Sequence, residues 1–137
     1  MAHTHSLEIR VRYHETDQMG RFYNARVLEW FEAGRTELLR DRGMSYAQIE
    51  QRGILLPMTE SHVLFQNPAR YDDALRLNTA VTFAGKARLR FDVTIEHLDA
   101  IPVARGHTIH AIVDPAGKPV RPPTWVRQLI EPAGDGN

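Results

Sequence analysis

LRLNTAVTFAGKARLRFDVTIEHLDAIPVARGHTIHAIV, residues 75–113, decides the fold. Leu75, Leu77, Val81 and Phe83 share one parity. Ala87, Leu89, Phe91, Val93 and Ile95 alternate with Arg88, Arg90, Asp92, Thr94 and Glu96. A period of two sends successive side chains to opposite faces, so these runs read as half-buried strands. Val103 to Val113 makes a third long run. Ala84-Gly85-Lys86 and the short Asp99-Ala100 segment suit hairpin turns. Three such strands form an antiparallel meander with one apolar face that something must cover.

Working outward, the cover lies upstream. Leu7, Ile9, Val11 and Tyr13 alternate with Glu8, Arg10, Arg12 and His14, which predicts another strand. His14 to Gly20 is polar and reads as a loop. From Asn24 to about Arg42 the period changes. Val27, Leu28, Phe31, Gly34, Leu38 and Leu39 recur at three- and four-residue spacings on one helical stripe, and Gly43 sits where a helix C-terminal glycine belongs. Ser45 caps a second, short helix to about Gln51, ended by Gly53. Ile54 to Phe65 is strand-like but alternates poorly, Asn67 to Asp73 connects, and Thr124 to Ile130 follows a proline-rich run as a short terminal element. One helical stripe covered by one sheet is an α+β layer architecture.

Composition bounds the function. The chain has 137 residues, enough for one domain spanning 1–137 with an ordered core of about 7–130. Seventeen Lys and Arg balance seventeen Asp and Glu, so no global field draws the chain to nucleic acid or an anionic membrane. With no cysteine there is no disulfide, thiolate metal site or cysteine nucleophile. No run of 18 apolar residues offers a membrane span, and MAHTHSLEIR lacks the apolar segment of a secretory signal, so the expected location is cytoplasmic.

Tyr13-His14-Glu15-Thr16-Asp17-Gln18-Met19-Gly20, then Phe22-Tyr23-Asn24 and Trp30-Phe31-Glu32-Ala33-Gly34-Arg35-Thr36-Glu37, resembles the 4-hydroxybenzoyl-CoA thioesterase family. Pro68-Ala69-Arg70-Tyr71-Asp72-Asp73 matches its Tol-Pal-associated branch in type and placement. The resemblance covers about residues 7 to 130. It implies a hotdog fold: a long central helix wrapped by a five-stranded antiparallel β-sheet. It also implies a homodimer joined sheet edge to sheet edge, often paired again into a homotetramer, with active sites at the dimer interface. The implied reaction is cleavage of acyl-CoA without metal or redox cofactor, and Asp17 falls on the family's catalytic aspartate. Many close relatives carry His where this chain has Asn24, so the role of that position shifts toward its backbone N–H.

The chemistry suits these residues. A helix start supplies unpaired N–H groups and the positive end of its dipole, so the N–H at Asn24 can face a developing oxyanion. Asp17, seven residues earlier, can serve as general base on water or attack the carbonyl to give a mixed anhydride. The plainer uses are a turn or capping role for Asp17 and an N-cap role for the Asn24 side chain. Tyr23 and Glu32 are candidate substrate contacts, though Glu32 and Arg35, three apart, also have the spacing of an intrahelical ion pair. Gly34, inside the apolar stripe, points to close approach of sheet and helix. CoA carries phosphates that call for cations, and Lys86, Arg88 and Arg90 cluster at a strand start, with Lys118 and Arg121 as a second basic spot. His107 and His110 point to opposite faces of a strand and cannot share a metal ion there, while His3 and His5 fall on a terminus expected to fray. Carrier-protein thioesters, or binding of acyl thioesters without catalysis, are the alternatives.

Overall fold

A computed structural model describes residues 3–131. Eight main elements follow one another: β1 (His3–Arg10), α1 (Arg26–Asp41), α2 (Tyr46–Gln51), β2 (Met58–Phe65), β3 (Ala74–Phe83), β4 (Arg88–His97), β5 (Pro102–Ala111) and α3 (Thr124–Ile130). The five strands make one antiparallel sheet in the order β1-β3-β4-β5-β2. The meander is present with the expected alternation. On β3 and β4, Leu75, Leu77, Val81, Leu89, Phe91, Val93 and Ile95 are all buried. Its turns use left-handed backbone at Gly85 (φ 96°) and Ala100 (φ 74°).

The inner face is filled by α1, a hotdog arrangement. Val27, Trp30, Phe31, Gly34, Arg35, Leu38 and Leu39 are the helix's buried residues. Gly34 is there because β3 comes close: an added Cβ would lie 2.5 Å from Thr79 Oγ1. The core divides along the helix. Phe22, Val27, Trp30, Phe31, Ala69, Leu77 and Ile95 pack around its first half. Leu38, Leu39, Ile49, Leu89, Phe91, Ile112 and Ile130 pack around its second. No helix among the described residues is long and apolar enough to cross a membrane.

Four expectations are corrected. His3 and His5 belong to β1, paired with Val81 and Thr79, because the ladder continues to the start of the described chain. β1 stops at Arg10, and Tyr13–Glu15 forms a 3₁₀ turn instead. β2 begins at Met58 after an irregular approach with a register shift near Met58 and Glu60. It alternates poorly because an edge strand is exposed almost throughout. The main helix begins at Arg26, with Ala25 as N-cap and no side-chain cap, so Asn24 is not the capping residue. Ser45, by contrast, caps α2 as expected: its Oγ accepts from the Gln48 N–H at 3.2 Å, and Gln48 Oε1 accepts from the Ser45 N–H at 2.8 Å.

Candidate active site at the start of the long helix

The loop feeding α1 is a small hairpin. Thr16 and Phe22 form an antiparallel bridge, the Asp17 N–H donates to Arg21 O at 2.9 Å, and the Tyr23 N–H donates to Glu15 O at 2.8 Å. Its tip is a turn in which the Gly20 N–H donates to Asp17 O at 3.0 Å, and Gly20 has φ 78°. Asp17 Oδ1 accepts from the Met19 N–H at 2.9 Å, so one carboxylate oxygen serves the turn. Oδ2 has no partner among the described residues and is free to handle a proton or attack. The turn role and an acid–base role are thus compatible.

Beneath the hairpin lies a residue the sequence reading passed over. Glu15 is 1% exposed. Its carboxylate accepts from the Arg12 N–H at 2.7 Å, from the Arg12 guanidinium at 3.3 Å and from Trp30 Nε1–H at 3.1 Å. Burial pushes its pKa up, but the Arg12 N–H, the Trp30 indole and the Arg12 charge together outweigh that and hold it below the usual carboxylate value. Glu15 fastens the loop to the helix. The sequence signal was Trp30, three residues after Val27 and so beside the apolar stripe, because a buried indole N–H needs an acceptor.

At the helix start the N–H groups of Asn24 and Ala25 donate to no acceptor among the described residues. Tyr23 O and Asn24 O meanwhile accept from the Arg26 and Val27 N–H groups at 2.9 and 3.2 Å. Asn24 borders a cleft of about 170 Å³ shared with Arg21, Phe22, Phe65, Gln66 and Asn67. Asp17 does not line it. Along the hairpin Asp17 stands opposite Arg21, three residues before Asn24 in the chain. Tyr23 is exposed beside the cleft, and Glu32 is exposed two turns along α1 on the face shared with Asn24 and Leu28. The expected Glu32–Arg35 pair does not form. Arg35 lies one turn beyond Phe31 on the buried stripe, 5% exposed, with its guanidinium 6.0 Å from the Phe91 ring centre.

The basic cluster sits elsewhere. Lys86 is in the β3–β4 turn, and Arg88 and Arg90 open β4 on the outer face. Arg88 pairs with Ala111 of β5, whereas Phe65 of the cleft pairs with Ala104. Seven residues of β5 separate them, roughly 23 Å. Arg90 is also tied to Asp92, Nε to Oδ1 at 3.1 Å, and borders an outer groove of about 580 Å³ with Asn78, Arg105 and His107. His107 stacks there on His62 with ring centres 5.5 Å apart. His110 is buried on the inner face, its ring nitrogens 3.0 Å from Leu56 O and 3.0 Å from Thr108 Oγ1.

Comparison with known proteins adds the wider frame. A sequence model described as the thioesterase-like superfamily matches residues 11–130. YneP of Bacillus subtilis (strain 168), provisionally named an acyl-CoA thioesterase, is 40% identical over 77 residues; that match spans 56% of this chain and 56% of the relative. The chloroplastic acyl-acyl carrier protein thioesterase ATL3 of Arabidopsis thaliana is 29% identical over 128 residues, 93% of this chain and 67% of that protein. Among solved structures, a 1,4-dihydroxy-2-naphthoyl-CoA thioesterase from Synechocystis superposes with a TM-score of 0.85 at 25% identity, covering 92% of this chain and 95% of that one.

Proposed function

The chain belongs to the thioesterase-like superfamily, and from that membership we propose that it hydrolyses acyl-CoA thioesters to a free acid and CoA. The observation that carries the reading is the N–H group at Asn24, without an acceptor among the described residues, where Asn24 lines a cleft at the positive end of α1. A thioester carbonyl seated there places its oxygen against the fixed Asn24 N–H, a bond that strengthens as negative charge develops. Water attacks the carbonyl carbon, the C–S bond breaks, and the thiolate leaves with a proton. Asp17 is the group for that proton, or the nucleophile that attacks first. Tyr23 and Glu32 flank the acyl path. The narrower likeness to the 4-hydroxybenzoyl-CoA thioesterases and their Tol-Pal-associated branch is part of the same proposal.

A single protomer leaves Asp17 outside the Asn24 cleft, so the reading includes a homodimer. Two features support it. β2 pairs only with β5 among the described residues, leaving a free edge eight residues long. Met58, Leu64 and Phe65 on that strand are 43%, 44% and 48% exposed. Such an edge invites pairing with another strand. An antiparallel join of two β2 edges seats the sites at the seam, and pairing of dimers gives the homotetramer.

The test is thiol release over a panel of acyl-CoA substrates, with Asp17→Asn beside the wild type. The variant keeps its fold and oligomeric mass and loses about 10²-fold or more in kcat, as for removal of a general base. Near-wild-type turnover removes Asp17 from the mechanism. The likeness to ATL3 favours a second donor, the acyl carrier protein. The same acyl group on CoA and on carrier protein, compared by kcat/KM, separates the two.

A further inference from the structure

Five arginines surround the open end of α1, and they divide into two sets. Arg10 lies 3.8 Å from an Asp72 carboxylate oxygen, Arg12 bonds Glu15, and Arg26 bonds Glu29 at 3.0 Å. Arg21 and Arg70 have no carboxylate partner among the described residues. The acids nearest to them in sequence are committed elsewhere: Asp17 Oδ1 to the Met19 N–H, Asp73 Oδ2 to the Arg70 backbone N–H at 2.8 Å, and Asp72 to Arg10.

The chain positions that carry these two arginines are held close together by backbone. The Phe22 N–H donates to Ala69 O at 2.9 Å, so Arg21 and Arg70 spring from residues flanking one hydrogen bond between two loops. The Arg70 guanidinium lies over Gly20, with Nη1 3.8 Å from the Cβ position there. Arg21 lines the Asn24 cleft. The loop carrying Arg70 is itself fixed: Ala69 is 1% exposed, the Val11 N–H donates to Asp73 O at 3.0 Å, and the Asp72 N–H donates to Val11 O at 2.8 Å. Two like charges on a rigid frame, neither of them paired with a carboxylate among the described residues, favour an anion from outside. Guanidinium forks match phosphate oxygens in particular.

We propose that Arg21 and Arg70 form the subsite for the diphosphate of the CoA arm, at the mouth of the Asn24 cleft. The proposal rests on the acyl-CoA reading and specifies its carrier. It differs from the Lys86, Arg88 and Arg90 assignment, whose residues stand at the other end of the strands in the protomer.

The experiment compares Arg21→Ala/Arg70→Ala with wild type on one acyl group carried by CoA, by carrier protein and by pantetheine, which lacks phosphate. Removing charge-assisted bonds raises KM for acyl-CoA by about tenfold or more, leaves acyl-pantetheine unchanged and spares kcat. Arg21→Lys/Arg70→Lys recovers part of the loss. Equal changes on CoA and pantetheine substrates overturn the proposal, as does a loss confined to carrier protein. Calorimetric titration of CoA and pantetheine needs no turnover. Weaker CoA binding in the alanine variant, with Asp17→Asn still active, would keep the subsite while sinking the catalytic role of Asp17; unchanged CoA binding sinks the subsite alone.

Discussion

The two ends of α1 are built in opposite ways. At its C-terminal end everything is closed. Arg42 donates to Leu129 O at 3.0 Å and to Gln128 O and Glu131 O at 2.8 Å each, stapling the end of α3 to the end of α1. Leu38, Leu39, Ile49, Leu129 and Ile130 pack beneath. At the N-terminal end, N–H groups have no acceptor and two arginines no carboxylate partner among the described residues, and the backbone is stitched by hydrogen bonds between loops rather than by a cap. Unsatisfied polar groups cost stability. The proposed ligand chemistry lies at the open end, where those groups are left for it.

The sharpest way to break this contrast is to loosen one end at a time. Glu15→Ala leaves the Trp30 indole and the Arg12 N–H unpaired in the interior and costs about 3 kcal/mol, measured by denaturant unfolding; kcat falls with it, because Glu15 anchors the Asp17 loop. Arg42→Ala costs about 2 kcal/mol and leaves kcat unchanged. Comparable kcat losses in both variants would erase the distinction.

Acid separates the ends next. Burial, with the Arg35 charge adding, pushes the pKa of His110 below its ordinary 6.5, only partly opposed by its bond to Leu56 O. The unfolded chain therefore takes that proton more readily. The His110 contribution is full above pH 6.5 and is lost as pH falls through that value toward the lower folded one. Glu15 is also depressed, so its contribution is full above 4.5 and is lost only below it. Melting temperature against pH should show the upper limb removed by His110→Gln and the lower limb removed by Glu15→Gln. A curve unchanged by either variant refutes the assignment.

The smallest effect is expected at the most conspicuous position. Asn24→Ala should change kcat by less than about threefold, since the proposed donor is the backbone N–H and the side chain caps nothing. A loss of 10²-fold or more would give the reaction to the carboxamide instead.

Regular alternation made β3, β4 and β5 readable, because a sheet buried on one face writes its register into every second residue. The stripe from Val27 to Leu39 did the same for α1. β2 was read as a strand from Ile54, but its start at Met58 was not, because an edge strand exposed on most of its length imposes no pattern; His3 and His5 were misplaced because ladder pairing with β3 is a long-range contact. Arg35 was misplaced since spacing alone allows both an ion pair with Glu32 and a place on the Phe31 stripe. Among the candidate residues, Asp17, Tyr23 and Asn24 fall together in one loop, whereas the strand-borne cations do not join them within a protomer.

Periodicity and residue type are local quantities, and they were sufficient for the layers, the order of elements and the loop that precedes the helix. Which polar groups end without partners is not local. The partners of Arg10, Arg12 and Glu15, and the lack among the described residues of a carboxylate for Arg21 and Arg70 and of an acceptor for the Asn24 N–H, depend on segments as far apart as residues 10 and 72 meeting in space. Only the folded chain shows which donors have been used.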